Sequence, residues 1–188
     1  VLFFSRSNTV GHILQNGFVD IFAMSETKLD SSFPLSKFFM PNYTLHRHNR
    51  SRHGGGLCFY VRSHLPHTIC KNYSFNDDGI ESMALEVIVN KEKLFFINIY
   101  RPPNVALQHL KHAINFMSQR CLLESRTVFI IGDINVNLMQ KNNLIRDTLD
   151  TNGLINVVKG PTCFKSIIAP TLLDVILTNS PRRLAGHL

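Results

Sequence analysis

No apolar run in this chain reaches the eighteen or so residues of a membrane span, and Val1 to Phe4 is too short for a secretory signal. A membrane-crossing protein is therefore not expected. Paired cysteines are missing too: Cys58, Cys70, Cys121 and Cys163 stand far apart, without the close spacing of a zinc site, and read as reduced core thiols of an intracellular protein. There is no internal repeat, low-complexity tract or linker, so 188 residues with 44% hydrophobic content imply one core and one domain over residues 1–188. An initiating methionine is absent and the chain opens inside apolar sequence, so a fragment is expected. Acidic residues are scarce, 13 against 20 Lys and Arg, and the net charge of +7 with a pI near 9.5 favours a polyanionic partner. Nucleic acid comes first and an anionic membrane surface second, although charge speaks to association and not to fold.

What is present is organised around Thr127-Val128-Phe129-Ile130-Ile131-Gly132-Asp133-Ile134-Asn135. A short apolar run rich in β-branched residues reads as a buried strand. It empties into glycine, a carboxylate and a carboxamide. Gly132 lets the backbone turn or approach a ligand, and Asp133 and Asn135, two apart in extended backbone, point the same way. Such a pair suits chemistry on a phosphate: the carboxylate can hold a metal or take a proton, and the amide can donate to a phosphoryl oxygen without adding charge. The plainer reading is an Asx turn closing a hairpin.

Upstream, Ser5, Ser7 and Asn8 are candidate caps of a short helix carrying Val10, Ile13 and Leu14 and stopped at Asn16-Gly17. Phe18 to Met24 reads as a buried strand ending at Ser25-Glu26-Thr27, which makes Glu26 a second candidate carboxylate, or else a solvated one. A loop over 30–42 precedes a short edge strand at Tyr43 to His46. The basic stretch that follows holds Arg47, Arg50 and Arg52 among histidines. Its plain reading is a solvated turn. No nearby element fixes the histidines as metal ligands, whereas the guanidinium forks suit phosphate contact. Gly54-Gly55-Gly56 lacks the Lys-Ser or Lys-Thr of a phosphate loop and leads into a strand, Leu57 to Arg62.

Ile80 to Val89 alternates as a half-buried strand, with Met83, Leu85, Val87 and Val89 on one face and Glu81, Ala84 and Glu86 outside that set. It forms a hairpin with Leu94 to Tyr100, delivering Tyr100-Arg101-Pro102-Pro103, where the prolines end the ladder. Tyr100 and Arg101 are either phosphate donors or a rim tyrosine and a surface arginine. Val105 to Leu123 is an amphipathic helix with its stripe at Leu107, Leu110, Ile114, Met117 and Cys121. A second helix covers Leu144 to Thr151, closed by Asn152-Gly153. Thr171 to Asn179 places Asp174 inside an apolar strand, where a buried carboxylate needs a partner. Strands outnumber helices, which fits a two-sheet core with outer helices.

Ser25-Glu26-Thr27, the glycine triplet before a strand, Tyr100-Arg101-Pro102-Pro103, Gly132-Asp133-Ile134-Asn135 and Leu173-Asp174-Val175-Ile176-Leu177-Thr178-Asn179 stand in the order and rough spacing of the endonuclease/exonuclease/phosphatase superfamily. More narrowly, the chain resembles the apurinic-type endonuclease domain of non-LTR (LINE-type) retrotransposons. The basic stretch and Pro161-Thr162 match as well. The resemblance implies an α/β fold of the deoxyribonuclease I-like kind, a four-layer α/β/β/α sandwich with two mainly antiparallel central sheets. It also implies metal-dependent nicking of DNA that primes reverse transcription, a reverse transcriptase in the same polyprotein or acting with it, and a nuclear location.

Carried over residue by residue, the resemblance makes Glu26 the ligand of Mg²⁺, with Mn²⁺ as the alternative. Asp133 orients or deprotonates the attacking water, Asn135 steadies the phosphate, Tyr100 donates to a phosphate oxygen with Arg101 beside it, and Asp174 orients a histidine. The family pattern also has an early asparagine strand well before the glutamate and a closing Ser-Asp-His. Asn8 lies too close to Glu26 to be that asparagine, and His187 follows Asp174 too closely to be that histidine, so the resemblance implies a domain incomplete at both its N- and C-termini. The alternatives are a catalytically dead, nucleic-acid-binding remnant, or a related phosphoesterase acting on another phosphodiester.

Overall fold

The computed structural model describes residues 2–77, 79–124, 126–140, 144–166 and 168–184. Its middle is built by alternation that is apolar on both sides. In β3 (Leu57–Arg62), Leu57, Phe59 and Val61 point one way and Cys58 and Tyr60 the other, and all five are buried. A strand apolar on both faces must be covered on both. β3 pairs antiparallel with β1 (Ile21–Ser25) and β2 (Tyr43–His48), giving a three-stranded sheet with β3 in the centre.

The second sheet has six strands. β5 (Glu81–Val89) and β6 (Glu92–Tyr100) form a long hairpin. It turns at Asn90 and Lys91, both in the left-handed region, as a two-residue loop between twisted strands requires. β4 (His67–Ile69) lies outside β5. On the other side β6 pairs in parallel with β7 (Thr127–Asp133), which pairs antiparallel with β9 (Asp174–Thr178), and β8 (Ile155–Asn156) closes that edge. The parallel step from β6 to β7 is made through α2 (Leu107–Leu123), the crossover helix that parallel neighbours need.

Three apolar clusters define the layers. Between the sheets, Leu57, Phe59 and Val61 meet Met83, Leu85 and Val87. Outside the large sheet, Ile97, Ile99, Val128 and Ile130 pack on Leu110, Ile114, Met117 and Cys121 of α2, with Leu149 of α3 (Arg146–Thr151) in the same cluster. Outside the small sheet, Tyr43, Cys58 and Tyr60 cluster with Val10 and Leu14 of α1 (Leu2–Gln15). The order is helix, sheet, sheet, helix, the four-layer sandwich expected. Asn98 ties the two sheets where they face each other: fully buried on β6, its amide donates to the carbonyls of Met24 (2.9 Å) and Cys58 (3.0 Å).

Several local expectations are corrected. Ser5, Ser7 and Asn8 lie within α1 instead of capping it. The first strand starts at Ile21, leaving Phe18 exposed. The basic stretch is a strand as far as His48. β5 is buried on both faces over Glu81 to Leu85, because a second sheet covers one side and α2 the other. By strand parity Glu81 belongs with Met83, on the face turned toward the small sheet. Asp174 is the first residue of its strand and is exposed, so the cost of an interior carboxylate does not arise. His187 lies outside the described residues.

Candidate active site

Four polar side chains form one row across the large sheet. Glu81 on β5 lies opposite Tyr100 on β6, Tyr100 opposite Asp133 on β7, and Asp133 opposite Asp174 on β9. Each is the terminal residue of its strand, the first of β5 and β9 and the last of β6 and β7. Directly opposed residues project to the same face of a sheet. The row therefore edges the crevice between the two sheets at one end of the sandwich.

Glu26 arrives from the small sheet. It follows the end of β1 with φ at 54°, a left-handed conformation unusual for a residue with a Cβ. Its Oε1 accepts the Tyr100 hydroxyl proton at 2.8 Å, so the tyrosine holds the glutamate across the crevice. Burial, followed by Glu26, pushes the Tyr100 phenol above its ordinary range, so it stays a donor. The chain beyond Glu26 is fastened to the glycine triplet: Thr27 N donates to Gly56 O (3.1 Å) and Lys28 N to Gly55 O (2.9 Å). A Cβ on Gly56 would strike Thr27 Oγ1, and one on Gly55 would strike Glu81 and Arg50. The glycines thus serve close packing around Glu26.

Asp133 ends β7 after Gly132, whose φ of 146° and contact with the Ile99 carbonyl leave no space for a Cβ. The Asp133 carboxylate accepts from Asn135 N at 2.9 Å, an Asx turn with Asn135 left-handed at φ 49°. The Asx-turn reading of this stretch therefore holds, but the turn shapes the rim of the crevice and closes no hairpin. Burial pushes the Asp133 carboxyl up from 3.8 to about 6; Asp174 and Glu26 add to the rise, while the Asn135 N–H and Lys165 oppose it. Asn135 Nδ2 donates one hydrogen to Arg101 O at 2.8 Å, and among the described residues its second has no partner. Arg101 is turned inward, only 8% exposed. Its guanidinium donates to the carbonyls of Ile134 (3.2 Å), Asn135 (3.1 Å) and Val105, which clamps the Asn135 turn.

Met24, Ser25, Glu26, Asp133, Asn135, Asp174 and the loop Thr162 to Lys165 line a cleft of about 520 Å³. Thr162 Oγ1 accepts from the backbone of Leu173 (3.1 Å) and Asp174 (3.0 Å) and so sets the start of β9. The structure thus brings together Glu26, Tyr100, Asp133, Asn135 and Asp174, with Arg101 beneath them. Of the three arginines of the basic stretch, Arg50 adjoins the row through Glu81, and all three have internal partners. Arg47 donates to Phe33 O (2.9 Å) and lies over the Phe38 ring. Arg50 pairs with Glu81 at 2.5 Å, and Arg52 pairs with Asp30 at 2.7 Å while its side chain stays 58% exposed. Glu81 and Lys165 were not singled out from sequence. Strand parity with Met83 is the signal that places Glu81; Lys165 sits in an irregular loop and carries no such signal.

The donors of the cleft fit a hard divalent cation. Glu26, Asp133, Asn135 and Asp174 line it with carboxylate and carboxamide groups, and Asp174 and Glu26 add to the raised proton affinity of Asp133, a repulsion that a cation relieves. Among the described residues no three His, Cys, Asp or Glu side chains are placed to cage an ion.

A family model described as the endonuclease/exonuclease/phosphatase family matches residues 2–182. Among solved structures, the AP endonuclease LMAP of Leishmania major is similar with a TM-score of 0.70 and 12% identity, covering 95% of this chain and 75% of that one. The endonuclease domain of TRAS1, a telomere-specific non-LTR retrotransposon, has a TM-score of 0.65 and 14% identity, with 92% and 77% covered. A mannosyl-6-phosphatase of Bacteroides thetaiotaomicron has a TM-score of 0.62 and 14% identity, with 94% and 77% covered. At these identities the likeness is one of fold, and it extends from nucleases to a phosphatase. No curated protein matches the sequence.

Proposed function

The chain belongs to the endonuclease/exonuclease/phosphatase family, and from that premise we propose that it is a Mg²⁺-dependent phosphodiesterase that nicks DNA to prime reverse transcription by a non-LTR retrotransposon. The observation that carries the reading is the convergence of Glu26, Tyr100, Asp133, Asn135 and Asp174 at one end of the sandwich. The retrotransposon branch is supported by Tyr100-Arg101-Pro102-Pro103 and by the strand from Leu173 to Asn179, and it implies a reverse transcriptase as companion and the nucleus as workplace. No helix among the described residues is long and apolar enough to cross a membrane.

In this mechanism Asp133, with a pKa near 6, is ionised at neutral pH yet basic enough to orient a water and take its proton. Asn135, clamped from below by Arg101, presents its second amide hydrogen to a phosphoryl oxygen. Tyr100 stays protonated and donates, steering Glu26 in the ground state and a phosphate oxygen as charge develops. Glu26 would hold the divalent cation, which supplies neutralisation of the developing phosphoryl charge. Asp174, exposed at the mouth, stands where it can orient an incoming imidazole.

Supercoiled plasmid tests this directly. Mg²⁺-dependent conversion to the open circle, lost in Asp133→Ala, is the expected result. Plasmid binding without nicking under any divalent metal would replace it with the binding-remnant reading, and hydrolysis confined to small phosphate esters would favour another phosphoesterase. The parent reading frame tests the branch: a reverse transcriptase downstream is expected.

A further inference from the structure

We propose that Glu81 is a positioning residue for Glu26, setting the backbone from which that carboxylate reaches the metal. The inference rests on the reading of Glu26 as the metal-holding residue. Glu81 is 5% exposed at the start of β5. A carboxylate in such a place is costly unless its oxygens are used, and both are: Oε2 accepts from Gly56 N at 2.7 Å and Oε1 pairs with Arg50 at 2.5 Å. Gly56 and Gly55, with φ of 87° and 73°, in turn offer their carbonyls to Thr27 N and Lys28 N. The chain of contacts therefore runs from Glu81 through the glycines to the two residues that follow Glu26.

Glu26 and Lys28 are both left-handed, a cost that persists only where the surroundings over-determine it. Tyr100 fixes the Glu26 side chain from one side, and Glu81, the neighbour of Tyr100 directly across the ladder, acts through Gly56 on the residues that follow Glu26. The glycine triplet finds its use here, since side chains at Gly55 and Gly56 would drive Glu81, Arg50 and Thr27 out of place. Arg50, read from sequence as a phosphate contact, neutralises the buried carboxylate and closes it off from solvent.

The test uses Mn²⁺ as probe ion, with affinity read from the free-ion spin-resonance signal for wild type, Glu26→Gln, Glu81→Met and Glu81→Gln. Glu81→Met keeps volume and removes the acceptor, and it should weaken Mn²⁺ binding by about tenfold or more, the usual effect of losing a group that orients a ligand. Glu81→Gln retains an acceptor for Gly56 N and should recover most of that affinity. In wild type, adding Mn²⁺ should slow hydrogen exchange at the Thr27 and Lys28 amides, a readout that needs no variant to fold. Wild-type affinity in Glu81→Met with only a lowered Tm, or exchange at Thr27 and Lys28 indifferent to Mn²⁺, would overturn the proposal. Equal affinity in wild type and Glu26→Gln would instead remove the reading of Glu26 on which it stands.

Discussion

Tyr100 and Asp133 stand side by side on parallel neighbours, and the backbone of the next residue, Arg101 N, donates to Asp133 O at 3.0 Å. The phenol that holds Glu26 and the Asp133 carboxylate are therefore spaced by the ladder itself and not by flexible loops. Removing the hydroxyl tests this arrangement. Tyr100→Phe should leave the ring packed and the fold intact while slowing single-turnover nicking by about a hundredfold, the scale of losing one donor aimed at developing charge.

Asp133 makes stability depend on pH in a defined direction. Its folded pKa of about 6 lies above the ordinary 3.8, so between those values the folded state binds more protons than the unfolded one. The stability it contributes is fully present below 3.8 and is lost as pH climbs through about 6. Asp133→Asn removes that loss. Urea midpoints of variant and wild type should converge near pH 4 and separate by pH 7, with the variant the more stable.

Gly132 has no tolerable substitute. Its φ of 146° and the Ile99 carbonyl where a Cβ would lie mean that Gly132→Ala should cost on the order of 3 kcal/mol or more through strain and parting of β6 from β7. Thermal unfolding or the soluble yield would read this out, and an unchanged Tm would contradict the close approach.

Asn98 tests the joint between the sheets. Asn98→Leu deprives the Met24 and Cys58 carbonyls of their donor and should cost about 1–3 kcal/mol. Equilibrium denaturation would measure it.

The arginines of the basic stretch should separate in salt titrations. Arg52, exposed, paired with Asp30 and Ser32 and lying over the Phe33 ring, can exchange these surface partners for a phosphate. Arg52→Ala should therefore lower the slope of log affinity for duplex DNA against log salt by about 0.9. Arg47→Ala should leave that slope unchanged and lower Tm, because its guanidinium is bound to Phe33 O and stacked on Phe38.

Much of this was legible in the chain because strand ends leave a signature: an apolar run that stops at a carboxylate or tyrosine shows at Met24 to Glu26, at Ile99-Tyr100 and at Ile131 to Asp133. What stayed hidden depends on which strand lies beside which. Glu81 reads as outside the apolar set of its strand until a second sheet is known to cover the Met83 face. Asp174 reads as interior from its apolar neighbours, although β9 begins with it. Arg47 reads as solvated because nothing local announces that the turn holding Phe33 and Phe38 folds back over it. Long-range pairing decides each of these, and spacing along the chain does not carry it.

The row from Glu81 to Asp174 exists in one strand register only. Side chains alternate between the faces of a strand, so a slip of β7 by one residue would send Asp133 toward α2 and bring a neighbouring residue to the crevice. The same slip would exchange Val128 and Ile130, in the core beneath α2, for Phe129 and Ile131. Misalignment would thus misfit the core beneath α2 and remove Asp133 from the crevice together, so close packing of the interior also holds the row at its edge in line.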